Sequence, residues 1–241
     1  MVALFERYFE LIPATTPALL DEAMALRYQV YCIENDFEDP AQNPGERESD
    51  VFDSHSVHCL LRHRQSRALA GVVRMVLPNP DDLSRSFPMQ EVCELHQLRA
   101  KYPDFRIERA AEVSRFCISR HFRRRIGESR YPDLGAGDIF AGQPTPIRER
   151  RVMPHITLGL MKATVQIGLD YGIDHFISVM DPAFLRLLHR TGVDWQPFGP
   201  AVNYHGRRLP CHGRLNDLVE GLREHNPSFG EFVADGRPIP Q

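Results

Sequence analysis

Two ionisable residues stand inside a stretch whose other members belong in a core. In AAEVSRFCIS, Ala110 to Ser119, Glu112 and Arg115 sit among Val113, Phe116, Cys117 and Ile118, side chains that predict a buried strand. A carboxylate held there can accept a proton, directly or through water, and a guanidinium can grip another carboxylate through two parallel hydrogen bonds. Three residues apart on a regular strand, the two face opposite sides of the sheet, so a pair between them requires a bulge. A bulge would also free a backbone N–H, at or just after Arg115, for a developing oxyanion.

Other charges are placed in the same way. Thr16 and Pro17 read as the N-cap and first position of a helix running to about Ile33. Its apolar stripe is Leu20, Ala23, Met24, Val30 and Tyr31, and Arg27 shares a face with Leu20, Met24 and Tyr31. Buried there, Arg27 needs an anionic partner. Arg74 lies inside a second strand, Ala68 to Leu77, which is apolar on both faces and therefore central. It follows a first strand, Val57 to Leu61, across the turn Arg64-Gln65-Ser66-Arg67. The acidic segment Glu34 to Asp53, broken by Pro40 and Pro44-Gly45, reads as a loop whose carboxylates mostly form a solvated face. Asp50 and Asp53 are set apart, because they flank Phe52 and lead into the first strand. They are the expected partners of a buried arginine.

With 241 residues and 42% hydrophobic content, the chain can bury a sizeable core, and one domain over 1–241 is expected. A net charge of −3 argues against a general nucleic-acid binder. The N-terminus lacks a signal-peptide pattern and no apolar stretch is long enough to span a bilayer, so a cytoplasmic protein without stable membrane insertion is expected. Five cysteines without C-x-x-C spacing suit reduced core thiols. His55 and His58 match no standard ligand set, and no metal is expected.

Later elements follow from the pattern. An amphipathic Glu91 to Arg99 segment should contribute Val92, Leu95 and Leu98 to the core. Residues 119–154 read as a basic loop insertion, with eight arginines against four acids between Ser119 and Arg151 and Arg123-Arg124-Arg125 as the densest point. Beyond it come a helix from Ile156 to Gly168, a strand from Asp174 to Met180, a helix from Ala183 to Arg190 closed by Gly192, a hairpin from Trp195 to Leu209 around Tyr204-His205-Gly206, and a helix from Asn216 to His225. The Pro/Gly-rich tail from about 226 reads as loosely ordered. This order predicts an α/β sandwich on a mixed sheet.

Four motifs now carry a resemblance: LRYQVYCIENDFE, the D-x-x-D of Asp50 and Asp53, GVVRMVLP, and AEVSRFCIS. In this order they resemble the autoinducer synthases, which make acyl-homoserine lactones on the GNAT fold. The match covers about the first half of the chain in motif detail and the rest in element order. Tyr31 and Phe37 depart from the phenylalanine and tryptophan usual in that family. LRYQVYCIENDFE and RRLPCHGRL, Arg207 to Leu215, more closely resemble the N-acyl amino acid synthases and the acyltransferases associated with PEP-CTERM and exosortase sorting.

The resemblance implies a GNAT-like three-layer sandwich with a central mixed, bulged sheet. It further implies an N-acyltransferase that moves a fatty acyl group from a thioester to the amine of an amino acid or a derived acceptor. Glu112 and Arg115 would be catalytic, with Arg27, Tyr31, Phe37, Asp50, Asp53 and Arg74 around the acceptor. Any arginine that the network leaves unneutralised could hold an acceptor carboxylate. Phe116, Cys117 and Ile118 would meet the donor's pantetheine arm, and the N-terminus of the helix beginning near His155 its phosphate. No tightly bound cofactor is implied. The donor is expected on acyl-carrier protein, an acidic partner for Arg123, Arg124 and Arg125, with acyl-coenzyme A as the alternative. Two other readings use the same residues: an acetyl-coenzyme A-dependent transferase acting on a small amine, and a fold that binds an acyl carrier or chain without catalysing. An ion network serving only the architecture would also look like this.

Overall fold

A computed structural model describes residues 2–123 and 152–239. The chain enters through a short helix α1 (Val2–Tyr8) and an edge strand β1 (Phe9–Pro13). Thr16 then caps α2 (Pro17–Tyr28), its side chain accepting from the Leu19 N–H at 3.3 Å, as the Thr-Pro pair predicts. The helix does not end at Tyr28. It widens into a π turn, Gln29–Glu34, a geometry that recurs at functional sites. Its buried side is Ala23, Leu26, Arg27 and Val30, so Arg27 does face the core, while Leu20 and Met24 lie half-buried at its edge.

The acidic loop holds three short 3-10 turns, Pro40–Gln42, Pro44–Glu46 and Val51–His55. The last is closed by Asp50 and Asp53, which cap it reciprocally: Asp50 Oδ1 accepts from the Phe52 N–H at 3.0 Å and Asp53 Oδ2 from the Asp50 N–H at 2.8 Å. The D-x-x-D spacing is therefore a capping box leading into a strand. The predicted hairpin follows as β2 (Ser56–His63) and β3 (Leu69–Val76). The amphipathic Glu91 to Arg99 segment is divided between a 3-10 turn, Pro88–Glu91, and α3 (His96–Lys101), with Leu95 and Leu98 in the core as expected and Val92 only half-buried at the junction.

The buried strand is β4 (Ala110–Ile118). Beyond it come α4 (Arg120–Arg123), α5 (Val152–Asp170), β5 (His175–Met180), α6 (Pro182–His189), β6 (Gln196–Pro197), β7 (Val202–Asn203), β8 (Arg207–Arg214), α7 (Leu215–His225) and α8 (Pro227–Ala234). The sheet order is β1-β2-β3-β4-β5-β8-β6, with β7 on β8. All pairings in it are antiparallel except β4 with β5. One face carries Leu60, Val72 and Cys117 against α2 and Val76, Ala110 and Ile177 against Phe52, Phe87, Met89 and Leu98. The opposite face packs Leu61, Val73, Met75, Val113 and Phe176 against α5, α7 and α8. Helical layers thus cover both faces of a mixed sheet, the predicted sandwich.

Three expectations need correction. The helix after the basic stretch starts at Val152 rather than near His155 and runs past Gly168. Its stop is Gly172, whose φ of +64° lets the Ile173 N–H reach the Gly168 carbonyl. Residues 120–123 are helical rather than loop. The tail from 226 is not loose: α8 buries Phe232, Val233 and Ala234. Pro227 occupies its first position, where a missing N–H costs nothing. No helix among the described residues is long and apolar enough to cross a membrane.

Candidate active site

The site forms where β4 parts from its neighbours. On the β3 side the register runs Val76↔Glu112, Met75↔Val113, Arg74↔Ser114 and then Val72↔Cys117, so Arg115 and Phe116 together oppose Val73. This is the required bulge, and Arg115 adopts the left-handed region at φ +48° to make it. On the β5 side the parallel pairing lasts only from Ala110↔His175 to Glu112↔Ile177. One residue on, the Val113 carbonyl accepts a hydrogen bond from Ser178 Oγ at 2.8 Å, a side chain where a ladder bond would continue. The strands then diverge over a cavity of about 400 Å³.

The bulge turns Arg115 towards Glu48 rather than Glu112. Arg115 Nη2 donates to Glu48 Oε1 at 2.8 Å, and Glu38 and Asp50 lie at 3.3 Å. Arg27 reaches the same Glu48 from α2 through Nε at 2.5 Å and holds Asp53 with both terminal nitrogens, at 2.6 and 3.1 Å. Arg74 donates from Nη1 to Asp50 at 2.6 Å and Asp53 at 2.9 Å, and from Nη2 to Ser114 Oγ at 2.9 Å. Arg27, Arg74, Arg115, Asp50 and Asp53 therefore form one network, as their types and placement predicted. Its three guanidiniums are matched by three carboxylates, Glu48, Asp50 and Asp53, with Glu38 at the edge.

Glu48 is the keystone, although its place in the acidic segment predicts a solvated face. It is 2% exposed. Burial alone would raise its pKa, but Arg115 and Arg27 outweigh that and hold it at about 2. In Asp53 the same opposition of burial against His58 and Arg27 leaves the carboxyl well below the usual range. No local signal separates Glu48, because Glu46, Glu48 and Asp50 follow one another at the same two-residue spacing and of these only Glu48 is buried.

Glu112 has a different environment. It is 3% exposed, and its Oε2 accepts one hydrogen bond from the Met89 N–H at 2.9 Å. Burial pushes its pKa up to about 7, with the Met89 N–H, Arg74 and Arg115 offsetting part of the effect. A carboxyl poised there is suited to exchanging protons near neutrality.

Two further groups complete the polar end. Tyr31 and Phe37 meet edge to face at 5.8 Å, with the Arg115 guanidinium 4.7 Å from the Tyr31 centroid. The β7–β8 turn adds Tyr204, His205 and Arg208 to the cavity wall. The turn is legible in the sequence, but its place in the site is not. His205 packs on Phe37 at 5.2 Å and Arg208 lies 5.8 Å from the same ring. The far end is apolar, with Met161 and Val165 of α5, Phe176, Phe184, Trp195 and Leu222.

The residues expected to meet a donor fall in different places. Phe116, Cys117 and Ile118 line the cavity, Phe116 packing on Phe184 at 5.6 Å. His155 is half-buried near the start of α5 and is not part of the cavity wall. Arg123 closes α4, and Arg124 and Arg125 lie outside the described residues. Among the described residues no group of three or more His, Cys, Asp or Glu could hold a metal ion.

Comparison with known proteins agrees with this geometry. Residues 26–130 match the family model for the acetyltransferase (GNAT) domain. The acyl-homoserine lactone synthase LasI superposes with a TM-score of 0.59 at 18% identity, over 97% of this chain and 98% of its own. BjaI, a CoA-dependent acyl-homoserine lactone synthase solved with SAM and isopentyl-CoA, gives 0.57 at 20% identity over 92% and 89%. FeeM, an N-acyl amino acid synthase from uncultured soil microbes, gives 0.57 at 11% identity over 88% and 94%. No curated protein matches the chain. The chain thus has the fold that these acyl-homoserine lactone and N-acyl amino acid synthases share, and within it residues 26–130 match the model of the acetyltransferase (GNAT) domain.

Proposed function

We propose that this protein is an N-acyltransferase that moves a long acyl group from a thioester to an amine, giving an N-acyl amino acid or a related product. The observation that carries this reading is the cavity, which joins Glu112 and the bulge at Arg115 to an apolar chamber between the sheet and α5, α6 and α7. Its volume of about 400 Å³ lies within the range of roughly 300–1,000 Å³ typical of sites for whole ligands. A two-carbon donor would leave most of that apolar wall uncovered, which favours a long chain over an acetyl group.

The chemistry follows from the residues. An amine arriving as ammonium has no lone pair, so it first gives a proton to Glu112, directly or through water. Its nitrogen then attacks the thioester carbon, an N–C bond forms, and charge collects on the former carbonyl oxygen. Backbone N–H groups at the Arg115–Phe116 bulge are the proposed donors to that oxygen. The C–S bond breaks, and the departing thiolate takes the proton shed by nitrogen. Arg27, Arg74, Glu48, Asp50 and Asp53 serve as the scaffold, fixing Arg115 and the bulge, while Tyr31 and Phe37 form the acceptor's wall. The donor is an acyl-carrier protein thioester, with the arginines of residues 119–151 meeting the acidic carrier.

The test is mass spectrometry of lipid extracts from cells expressing the wild type or Glu112→Gln. New acylated amino acids or lactones should accompany the wild type, and the variant should form them about a hundredfold to ten-thousandfold more slowly. Donor binding without product in the wild type would make the protein a non-catalytic binder.

A further inference from the structure

Four arginines stand at the polar end of the site, and they are not equivalent. The fork of Arg27 is committed to Glu48 and Asp53, that of Arg74 to Asp50, Asp53 and Ser114, and that of Arg115 to Glu48, Glu38 and Asp50. None has an edge left for a ligand. Arg208 differs: both of its hydrogen bonds leave from Nη1, to Asp181 Oδ2 at 3.1 Å and to the Arg207 carbonyl at 3.3 Å. Among the described residues its Nε–Nη2 edge has no partner.

The neighbouring groups favour a carboxylate ligand on that edge. Asp181 is 48% exposed, so water screens its charge, and its other oxygen caps α6 by accepting from the Ala183 and Phe184 N–H groups at 2.7 and 3.3 Å. Arg208 itself is only 18% exposed. It lies over the Phe37 ring, which fixes the plane of the guanidinium while leaving its donors free. Phe37 is also the ring that meets Tyr31, and Tyr31 meets Arg115. An acceptor lying along this aromatic wall would have the guanidinium of Arg208 at one end and the Glu112 end of the cavity at the other.

We infer that Arg208 is the carboxylate anchor of the acceptor site, through a bidentate contact from its Nε–Nη2 edge, and that the acceptor is a primary amine bearing a free carboxylate. This rests on the acyl-transfer reading for the identity of the amine but not for the binding of the carboxylate. The Tyr204–Gly206 turn positions the anchor: His205 and Gly206 take φ values of +51° and +93°, and this tight turn sets Arg208 back against Phe37.

The experiment compares the common amino acids with their carboxamides as acceptors, using full-length wild type, Arg208→Met and Arg208→Lys. Loss of charge-assisted hydrogen bonds predicts an acid-over-amide preference in KM of about tenfold to a hundredfold in the wild type. That preference should fall towards one in R208M and to an intermediate value in R208K, whose ammonium has charge but no fork. An equal preference in wild type and either variant overturns the inference, and R208K keeps the test open if R208M does not fold. Thermal-shift titration with the same amino acids and amides needs no turnover. Stabilisation of the wild type by the acids, and not of R208M, without any product, would leave the anchor standing and remove the acyl-transfer reading. Failure of every acid to stabilise the wild type or to act as acceptor overturns the anchor itself.

Discussion

Replacing Glu48 by Gln should remove a nearly inaccessible anion that two guanidiniums share. Glu48 is nearly inaccessible and accepts from Arg27 at 2.5 Å and from Arg115 at 2.8 Å. Gln keeps the shape but offers one neutral oxygen, which leaves Arg115 with contacts of 3.3 Å to Glu38 and Asp50. Breaking a buried ion pair from one side costs about 3–5 kcal/mol. The pKa gives an independent figure. A carboxyl at about 2 in the fold and 4.5 outside it contributes about 3 kcal/mol at neutral pH, at about 1.4 kcal/mol per pH unit. Because the folded value is the lower one, this stability is fully present above pH 4.5 and is lost as the pH falls towards 2. About 2 kcal/mol of it should be gone by pH 3. Urea unfolding of wild type and E48Q at pH 7 and pH 3 measures both numbers. The expected result is a variant weaker by about 3–5 kcal/mol at pH 7, with a gap that narrows by about 2 kcal/mol at pH 3. A difference under about 1 kcal/mol at pH 7, the usual worth of an exposed pair, would refute the keystone role. So would a gap independent of pH.

The other expectations are briefer. Turnover should rise with pH through a limb near 7 as Glu112 ionises, and the residual rate of E112Q should lack that limb; a single-turnover pH profile checks this. The same raised pKa predicts that folding stability from Glu112 is present below pH 4.5 and lost as the pH passes 7, so E112Q should unfold at a higher temperature than wild type at pH 8. Filling the apolar chamber with Val165→Phe should shorten the longest acyl chain accepted at a cost of about 1–3 kcal/mol from overpacking, read as product chain lengths by mass spectrometry and as a urea midpoint. Charge reversal at Arg123, Arg124 and Arg125 should raise KM for a carrier-protein donor and spare a coenzyme A donor; equal effects on both would remove the docking role.

What is legible in the sequence follows from contrast. Arg27, Arg74, Glu112 and Arg115 each interrupt an apolar period, so burial and the need for partners were visible at once. Asp50 and Asp53 were visible because they adjoin a strand. Glu48 lies among eight acids in a segment without period, and only the fold distinguishes it from Glu46, which is exposed. The β7–β8 turn was legible as a turn, but its approach to Tyr31 and Phe37 depends on contacts more than a hundred residues apart, which local pattern does not encode. The tail misled because Pro and Gly punctuate it. Pro227 starts a helix and Gly236 follows its end, and PSFGEFVA between them is apolar enough to bury.

Position 115 is subject to two opposing demands. Its backbone dihedral is one that glycine adopts freely and that costs another L-residue about 1–2 kcal/mol, whereas its side chain must be a planar cation to reach Glu48 and cover Tyr31. Glycine would relax the main chain and leave Glu48 with a single cation, while lysine would keep the charge without the fork. The tolerated alphabet at this point should therefore be close to one letter, fixed by a compromise that neither the strand nor the ion cluster would choose alone.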